Sequence, residues 1–248
     1  MLFRSLRIGG GGTHQPLVEE GPRELRTVAK AFNRMASSLE SMERERAMVL
    51  AGISHDLRTP LSRLRLALEM SGAESGASAA MIEDIGEIDA IIGQFLDYAR
   101  GENEEKSRQE LDPLLHELGE HYQRLGKKVT IDAAPGAAFS FARMAVRRAV
   151  SNLVDNALRY AGEPIEIQAK RETDLVAIEV RDRGPGIPPS EVERLKRPFT
   201  RLDDARSGAS GAGLGLAIVE RVARGHGGAL ALLPRAGGGL VARLTLRT

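Results

Sequence analysis

Two apolar stripes at heptad spacing, joined by a few polar residues, constrain this chain most. Leu50, Ser54, Leu57, Leu61, Leu64 and Leu68 recur at steps of three and four and end near Ser71-Gly72. After the polar turn Glu74 to Ser78, the pattern resumes with Met81, Ile85, Ile88, Ile92, Phe95 and Ala99. Each seam covers one side of an α-helix, so a short loop between them makes an antiparallel helical hairpin. A single hairpin cannot bury both of its sides, whereas two copies in a four-helix bundle can. A homodimer is therefore expected.

An earlier seam, Leu25, Val28, Phe32, Met35, Leu39 and Met42, follows a connector of Gly9 to Gly12, Thr13-His14-Gln15-Pro16 and Glu20-Gly21-Pro22. It is out of phase with the next seam by one residue, and the steps across Met42 to Leu50 put Arg46 and Ser54 at core positions. A local change of supercoil is expected there. It reads either as a strained signalling junction or as a helix break or solvated join.

Beyond Gly101 to Gln109 the periodicity changes, which marks a hinge and a second domain. Val129-Thr130-Ile131, Ile165-Glu166-Ile167, Val176 to Val180, Leu230 to Leu233 and Leu240 to Leu246 read as strands of one sheet. Helices near Ala142 to Tyr160, Pro189 to Leu195 and Leu214 to Gly225 would cover one face. The length of 248 residues suits two modest domains. With 35 basic and 34 acidic residues interspersed, a net charge of +1 gives no reason to invoke nucleic acid. The absence of cysteine excludes disulfides and thiolate metal sites. No run of apolar residues is long enough to span a bilayer.

His55 stands in Ile53-Ser54-His55-Asp56-Leu57-Arg58-Thr59-Pro60-Leu61. On a helix it lies roughly 120 to 180 degrees from Leu57, Leu61, Leu64 and Leu68, so it points away from the seam. A neutral imidazole carries a nitrogen lone pair that can attack phosphorus, and Asp56 can accept a hydrogen bond from the ring or take up its proton. Thr59 lies one turn on along the same face. Pro60 removes a backbone donor, frees the carbonyl of Asp56 and is expected to bend the helix.

Three further segments suit a nucleotide. Asn152 and Asn156 share a helix face at i and i+4 within Asn152-Leu153-Val154-Asp155-Asn156-Ala157-Leu158-Arg159-Tyr160. In Asp182-Arg183-Gly184-Pro185-Gly186-Ile187 the glycines let the backbone approach a ligand, and Asp182 can accept a hydrogen bond from an adenine amino group; alone, the string also reads as a hairpin turn. Gly211-Ala212-Gly213-Leu214-Gly215-Leu216 runs from a loop into an apolar helix whose first amides can receive phosphate oxygens. It is neither a dinucleotide fingerprint nor a Walker loop. Between these segments, Pro198-Phe199-Thr200-Arg201 and Leu202 to Ser210 read as a lid anchored by Phe199, with Arg201 and Arg206 as candidate phosphate contacts.

In order and spacing, these segments resemble the sensor histidine kinases of bacterial two-component systems, and among them the EnvZ-type osmosensor group. The resemblance implies a multidomain chain: an all-α dimerisation hairpin, forming a four-helix bundle in the dimer, followed by an α+β Bergerat-type ATP-binding sandwich. The implied divisions are a connector and start of a HAMP relay domain over 1–21, its second helix over 22–45, the phosphotransfer hairpin over 46–101, a hinge over 102–110 and the catalytic domain over 111–248. The resemblance also implies ATP and magnesium as cofactors, with Asn156 as metal ligand assisted by Asn152, and Arg159 and Tyr160 at the phosphates and nucleotide rim. It gives Thr59 a role in positioning water for dephosphorylation of a partner's aspartyl phosphate.

Hydrolytic relatives with this ATP site place a water-activating glutamate one turn before the metal asparagine, where this chain has Asn152. The expected reaction is therefore phosphoryl transfer to His55 and on to an aspartate of a response regulator of the OmpR-like type. A nucleotide-binding dimerisation module without kinase activity, or a Bergerat-fold ATPase, would share the seams and glycine segments. Receptors of the resembled family carry membrane spans upstream of such a segment, and Met1-Leu2-Phe3-Arg4-Ser5 matches what a common sequencing-adapter end encodes. The expectation is a cytoplasm-facing part of an inner-membrane receptor, attached to the membrane only through spans upstream of this segment.

Overall fold

A computed structural model describes residues 16–70, 76–99, 104–133, 136, 138–202 and 212–248. The chain divides into two compact units, Met1–Asn103 and Glu104–Thr248.

The first unit consists of helix α1 (Arg23–Met70) and helix α2 (Gly76–Ala99), packed on one another. The out-of-phase join at Met42 to Leu50 does not break the helix: α1 runs through it for 48 residues, with Pro60 inside. A four-residue step still keeps successive side chains on neighbouring faces, so a phase shift changes which face is apolar without costing a backbone hydrogen bond. The side chains of Arg46, Leu50 and Ser54 lie outside the described residues. Within α2 the best-covered positions are Ile92 and Leu96, whereas Leu57, Leu64, Met81 and Ile88 remain exposed in the single chain. No described helix is long and apolar enough to cross a membrane. At the start of the unit, Asn33 holds the connector by accepting from the amide of Leu17 at 2.8 Å and donating to its carbonyl at 2.9 Å.

The second unit is a two-layer sandwich. Its elements are β1 (Ser107–Gln109), α3 (Asp112–Arg124), β2 (Val129–Ala133), β3 (Phe139–Phe141), α4 (Arg143–Tyr160), β4 (Ile165–Arg171) and β5 (Leu175–Arg181). A 3-10 turn over Pro189–Glu191 leads into α5 (Val192–Leu195), followed by α6 (Gly215–Gly225), β6 (Leu230–Pro234) and β7 (Leu240–Arg247). The sheet has the order β2-β4-β5-β7-β6, with β2 and β4 parallel and the other pairs antiparallel. Period-two alternation sends Ile165, Ile167 and Ala169, Val176, Ile178 and Val180, and Ala242, Leu244 and Leu246 to one buried face.

That face is covered by apolar stripes of α3 (Leu114, Leu115, Leu118), α4 (Val146, Val150, Leu153, Val154) and α6 (Ile218, Val219, Val222), all buried. The five expected strands and the helices at 142–160 and 214–225 correspond to observed elements. The expected helix over Pro189 to Leu195 is a 3-10 turn and a single α-turn, too short to cover the sheet.

Three elements were not expected: α3 and the small antiparallel sheet β1-β3. The sheet β1-β3 makes the compact unit begin at Glu104, inside the segment read as hinge. Glu104 accepts the amide of Met144 at 2.6 Å in the first turn of α4, where a carboxylate also complements the helix dipole.

Candidate functional site

Helix α4 turns Leu153, Val154 and Ala157 into the core and leaves Asn152 and Asn156 half-buried on an adjoining face. The Nδ2 of Asn152 donates to the Arg148 carbonyl at 2.9 Å, which ties the amide back to its own helix. Both amides meet the first residue of α6. A Cβ placed on Gly215 would lie 3.2 Å from Asn152 Oδ1, 3.4 Å from Asn156 Nδ2 and 3.5 Å from Asn156 Oδ1. Glycine lets the start of α6 come this close to the asparagine pair without Asn152 having to give way. Helix α6 begins at Leu214 and Gly215 with no capping side chain among the described residues and no acidic residue in its first turn. Its leading amides thus form an electropositive end beside two neutral amide side chains.

The segment containing Phe199 also reaches this end. Gly213 has φ +68°, and a Cβ there would lie 2.9 Å from the carbonyl oxygen of Thr200. Phe199 itself adopts a left-handed φ of 60° and is largely exposed. Leu214 is fully buried and Leu216 half-buried. Arg201 is exposed, as are Arg159 and Tyr160 at the end of α4. Gly211 and Arg206 lie outside the described residues.

Asp182 follows β5 and is buried, at 6% exposure. Its Oδ1 accepts two backbone amides, Gly184 at 2.9 Å and Leu240 at 3.1 Å. Its Oδ2 has no partner among the described residues. Gly184 packs on Ala161, just beyond the last residue of α4, with a Cβ position 2.5 Å from the Ala161 Cβ. Gly186, at φ +73°, packs on the carbonyl of Gly239, and Ile187 is half-buried. The loop after β5 is thereby held between the end of α4 and the β6–β7 turn.

In the first unit, the backbone of His55 and Asp56 belongs to α1, and their side chains lie outside the described residues. Thr59 and Pro60, one turn on, are exposed. Arg58, between Asp56 and Thr59, donates to Asp89 of α2 at 2.7 Å and ties the two helices together three residues after His55.

Sequence reasoning missed several supports of these segments. Tyr122 of α3 donates its hydroxyl to Asp155 Oδ1 at 2.7 Å, between the two asparagines. Burial, together with the neighbouring Asp155 carboxylate, raises the Tyr122 pKa and keeps the phenol protonated. His226 accepts the amide of Ala142 at 3.0 Å through Nε2, while its Nδ1 donates to the Val222 carbonyl at 2.8 Å. Arg235 bridges Glu166 and the carbonyl of Asp182. The partners are 33, 84, 69 and 53 residues apart, and no local pattern links them.

Comparison with known proteins gives three family matches along the chain. Residues 142–248 match the model described as "Histidine kinase-, DNA gyrase B-, and HSP90-like ATPase". Residues 45–104 match the "His Kinase A (phospho-acceptor) domain", and residues 4–41 the "HAMP domain". The sensor histidine kinase CpxA of Escherichia coli K12 is 35% identical over 231 residues, covering 88% of this chain and 50% of its own. The sensor histidine kinase GtrS of Pseudomonas aeruginosa is 33% identical over 249 residues, covering 99% of this chain and 51% of its own. The chain therefore spans about half the length of the curated relatives it matches. Among solved structures, full-length ShkA in complex with AMPPNP superposes with a TM-score of 0.64 at 24% identity, over 80% of this chain and 45% of that one. That likeness concerns the fold.

Proposed function

The chain belongs to the sensor histidine kinase family, and from that premise we propose that it autophosphorylates His55 from ATP and passes the phosphoryl group to an aspartate of a separate response regulator. The observation that carries the reading is the meeting of Asn152, Asn156 and the uncapped start of α6 at Gly215. A phosphoryl-bearing ligand needs hydrogen-bond donors at a helix start, and a hard cation held by its phosphates needs neutral oxygen ligands. Both are present in this arrangement. Bound magnesium would neutralise charge on the triphosphate, with Asn156 as its protein ligand and Asn152 beside it.

In the proposed reaction, the imidazole of His55 forms a nitrogen–phosphorus bond to the γ-phosphorus as the bond to the bridging oxygen breaks and ADP leaves. Asp56 takes up the ring proton. Asp182 accepts the adenine amino group, the backbone around Gly184, Gly186 and Ile187 lies against the base, and Arg159 and Tyr160 flank the nucleotide. The amides from Gly211 to Leu216 hold the phosphates, with Phe199 and Arg201 on the covering segment. A neutral Asn152 cannot deprotonate water, which favours transfer over hydrolysis. Thr59, exposed one turn after His55, would position water when the protein dephosphorylates its regulator.

The exposed seam positions Leu57, Leu64, Met81 and Ile88 support a homodimer, since a second copy would cover them. An OmpR-like regulator and an inner-membrane location for the longer receptor belong to the same proposal.

The test is incubation of the whole chain with γ-labelled ATP and magnesium, beside His55→Gln. Acid-labile, alkali-stable label that disappears in His55→Gln is expected. Label that persists in the variant removes His55 as the acceptor, and steady phosphate release without label favours an ATPase.

A further inference from the structure

The β6–β7 turn is unusually free in itself. Gly237, Gly238 and Gly239 follow one another at φ of +84°, +98° and +110°. Such a run has more backbone freedom to lose on folding than any other sequence. Yet this turn and Leu240, the first residue of β7, make most of the contacts that hold Asp182. The amide of Leu240 donates to Asp182 Oδ1 at 3.1 Å, and the amide of Asp182 donates to the Leu240 carbonyl at 3.0 Å. Gly239 packs so closely that a Cβ there would lie 2.1 Å from the carbonyl oxygen of Asp182.

The turn is held in place by Arg235, at its entrance. The Arg235 amide donates to the Gly239 carbonyl and its own carbonyl accepts from Gly238, both at 3.1 Å, which closes the turn locally. Its side chain, 14% exposed, then reaches from the end of β6 to Glu166 of β4, two strands further in than β7. Nη2 donates to both carboxylate oxygens of Glu166 at 2.8 and 2.9 Å, and Nη1 donates to the Asp182 carbonyl at 3.3 Å. Glu166 pairs in register with Arg181, the residue immediately before Asp182. The Arg235 guanidinium holds the Glu166 carboxyl below the usual carboxylate range, so the pair stays ionised at neutral pH.

We propose that Arg235 is a positioning residue for base recognition: by bridging Glu166 and the Asp182 carbonyl, it fixes the glycine turn and aims Asp182 Oδ2 at the exocyclic amino group of the nucleotide base. The proposal rests on the reading of Asp182 as the adenine acceptor. A fork-shaped guanidinium suits this task because it can hold a carboxylate with two bonds and keep a third donor for the carbonyl. Without it the turn keeps its backbone closure and its Leu240 hydrogen bonds to Asp182 but loses the side-chain tie to Glu166 and the Asp182 carbonyl, and a carboxylate freer to shift recognises the amino group less well.

The experiment compares calorimetric binding of ATP and of purine riboside triphosphate, which lacks the amino group, to the whole chain with magnesium. The wild-type protein should prefer ATP. Arg235→Ala should weaken ATP binding about tenfold and leave the analogue unchanged, so that the preference collapses. Glu166→Gln, which keeps the guanidinium but weakens its anchor, should move selectivity in the same direction. Asp182→Ala combined with Arg235→Ala should bind ATP no more weakly than Asp182→Ala alone. An equal loss for both nucleotides in Arg235→Ala and Glu166→Gln, or additive losses with Asp182→Ala, would mean a structural role only and overturn the proposal. A wild-type protein indifferent to the amino group overturns the reading of Asp182 and this inference with it; a wild-type preference that survives in both variants overturns this inference alone.

Discussion

His226, just past the end of α6, accepts a hydrogen bond through Nε2 from the amide of Ala142 at the start of α4, at 3.0 Å. The other ring nitrogen donates to the Val222 carbonyl, so only the neutral ring with its proton on Nδ1 satisfies both contacts. Burial lowers its pKa from the ordinary 6.5, outweighing the Val222 bond that favours the charged form. The unfolded chain therefore takes up this proton before the folded one does. The stability contributed by the neutral ring is fully present above about pH 6.5 and is lost as the pH falls below it. Urea unfolding of the second unit should show this loss as the pH falls below about 6.5. His226→Gln should show a shallower dependence; equal slopes for the two proteins would refute the assignment.

Gly215 should tolerate no branched side chain. Gly215→Val would place methyl groups between the two asparagine amides, where a Cβ alone is already 3.2 Å from Asn152 Oδ1. Nucleotide binding is expected to fall by at least about tenfold while the helical signal of the unit persists, because overpacking at a helix start moves side chains before it unfolds a core. Calorimetric titration with ATP and circular dichroism on the same sample would check both halves.

Tyr122 keeps its ring in the core and spends its hydroxyl on Asp155. Tyr122→Phe retains the packing and removes that bond to a carboxylate, so the expected loss is about 1.5–3 kcal/mol in denaturant unfolding. A loss beyond that range would show that the hydroxyl holds more than this contact.

Arg58 and Asp89 form a short ion pair, but their side chains are 49% and 46% exposed. Arg58→Ala should therefore change stability by no more than about 1 kcal/mol. Ile167→Ala, at a fully buried position of β4, should cost about 2–5 kcal/mol, since it removes apolar burial and leaves a cavity. Thermal melts of both variants beside the parent would test this contrast between surface charge and core packing.

Much of the fold was legible along the chain. Heptad seams announced α1 and α2, and alternation announced β2, β4, β5, β6 and β7. Helix α3 was overlooked although Leu111, Leu114, Leu115, Leu118 and Tyr122 carry a helical period and are all buried. Strands β1 and β3 have three residues each, too few to display a period. At the join Met42 to Leu50, of the readings left open only the helix break is set aside, because α1 is continuous there and a phase change in apolar residues is not a break in backbone hydrogen bonding.

By itself, the sequence determined α1, α2, α4 and α6, the strands β2, β4, β5, β6 and β7, and which of their faces turn inward, because those properties depend on side chains a few residues apart. It also determined that Asn152 and Asn156 share a face and that glycine stands at residues 184, 186, 213 and 215. Only the tertiary structure decided that Gly215 meets the asparagine pair, that Arg235 reaches Glu166 and Asp182, and that His226 receives the amide of Ala142. Those contacts depend on strand register and on helix packing across the sheet. Both are settled by burying all the apolar stripes at once, and no single stretch of chain contains that information.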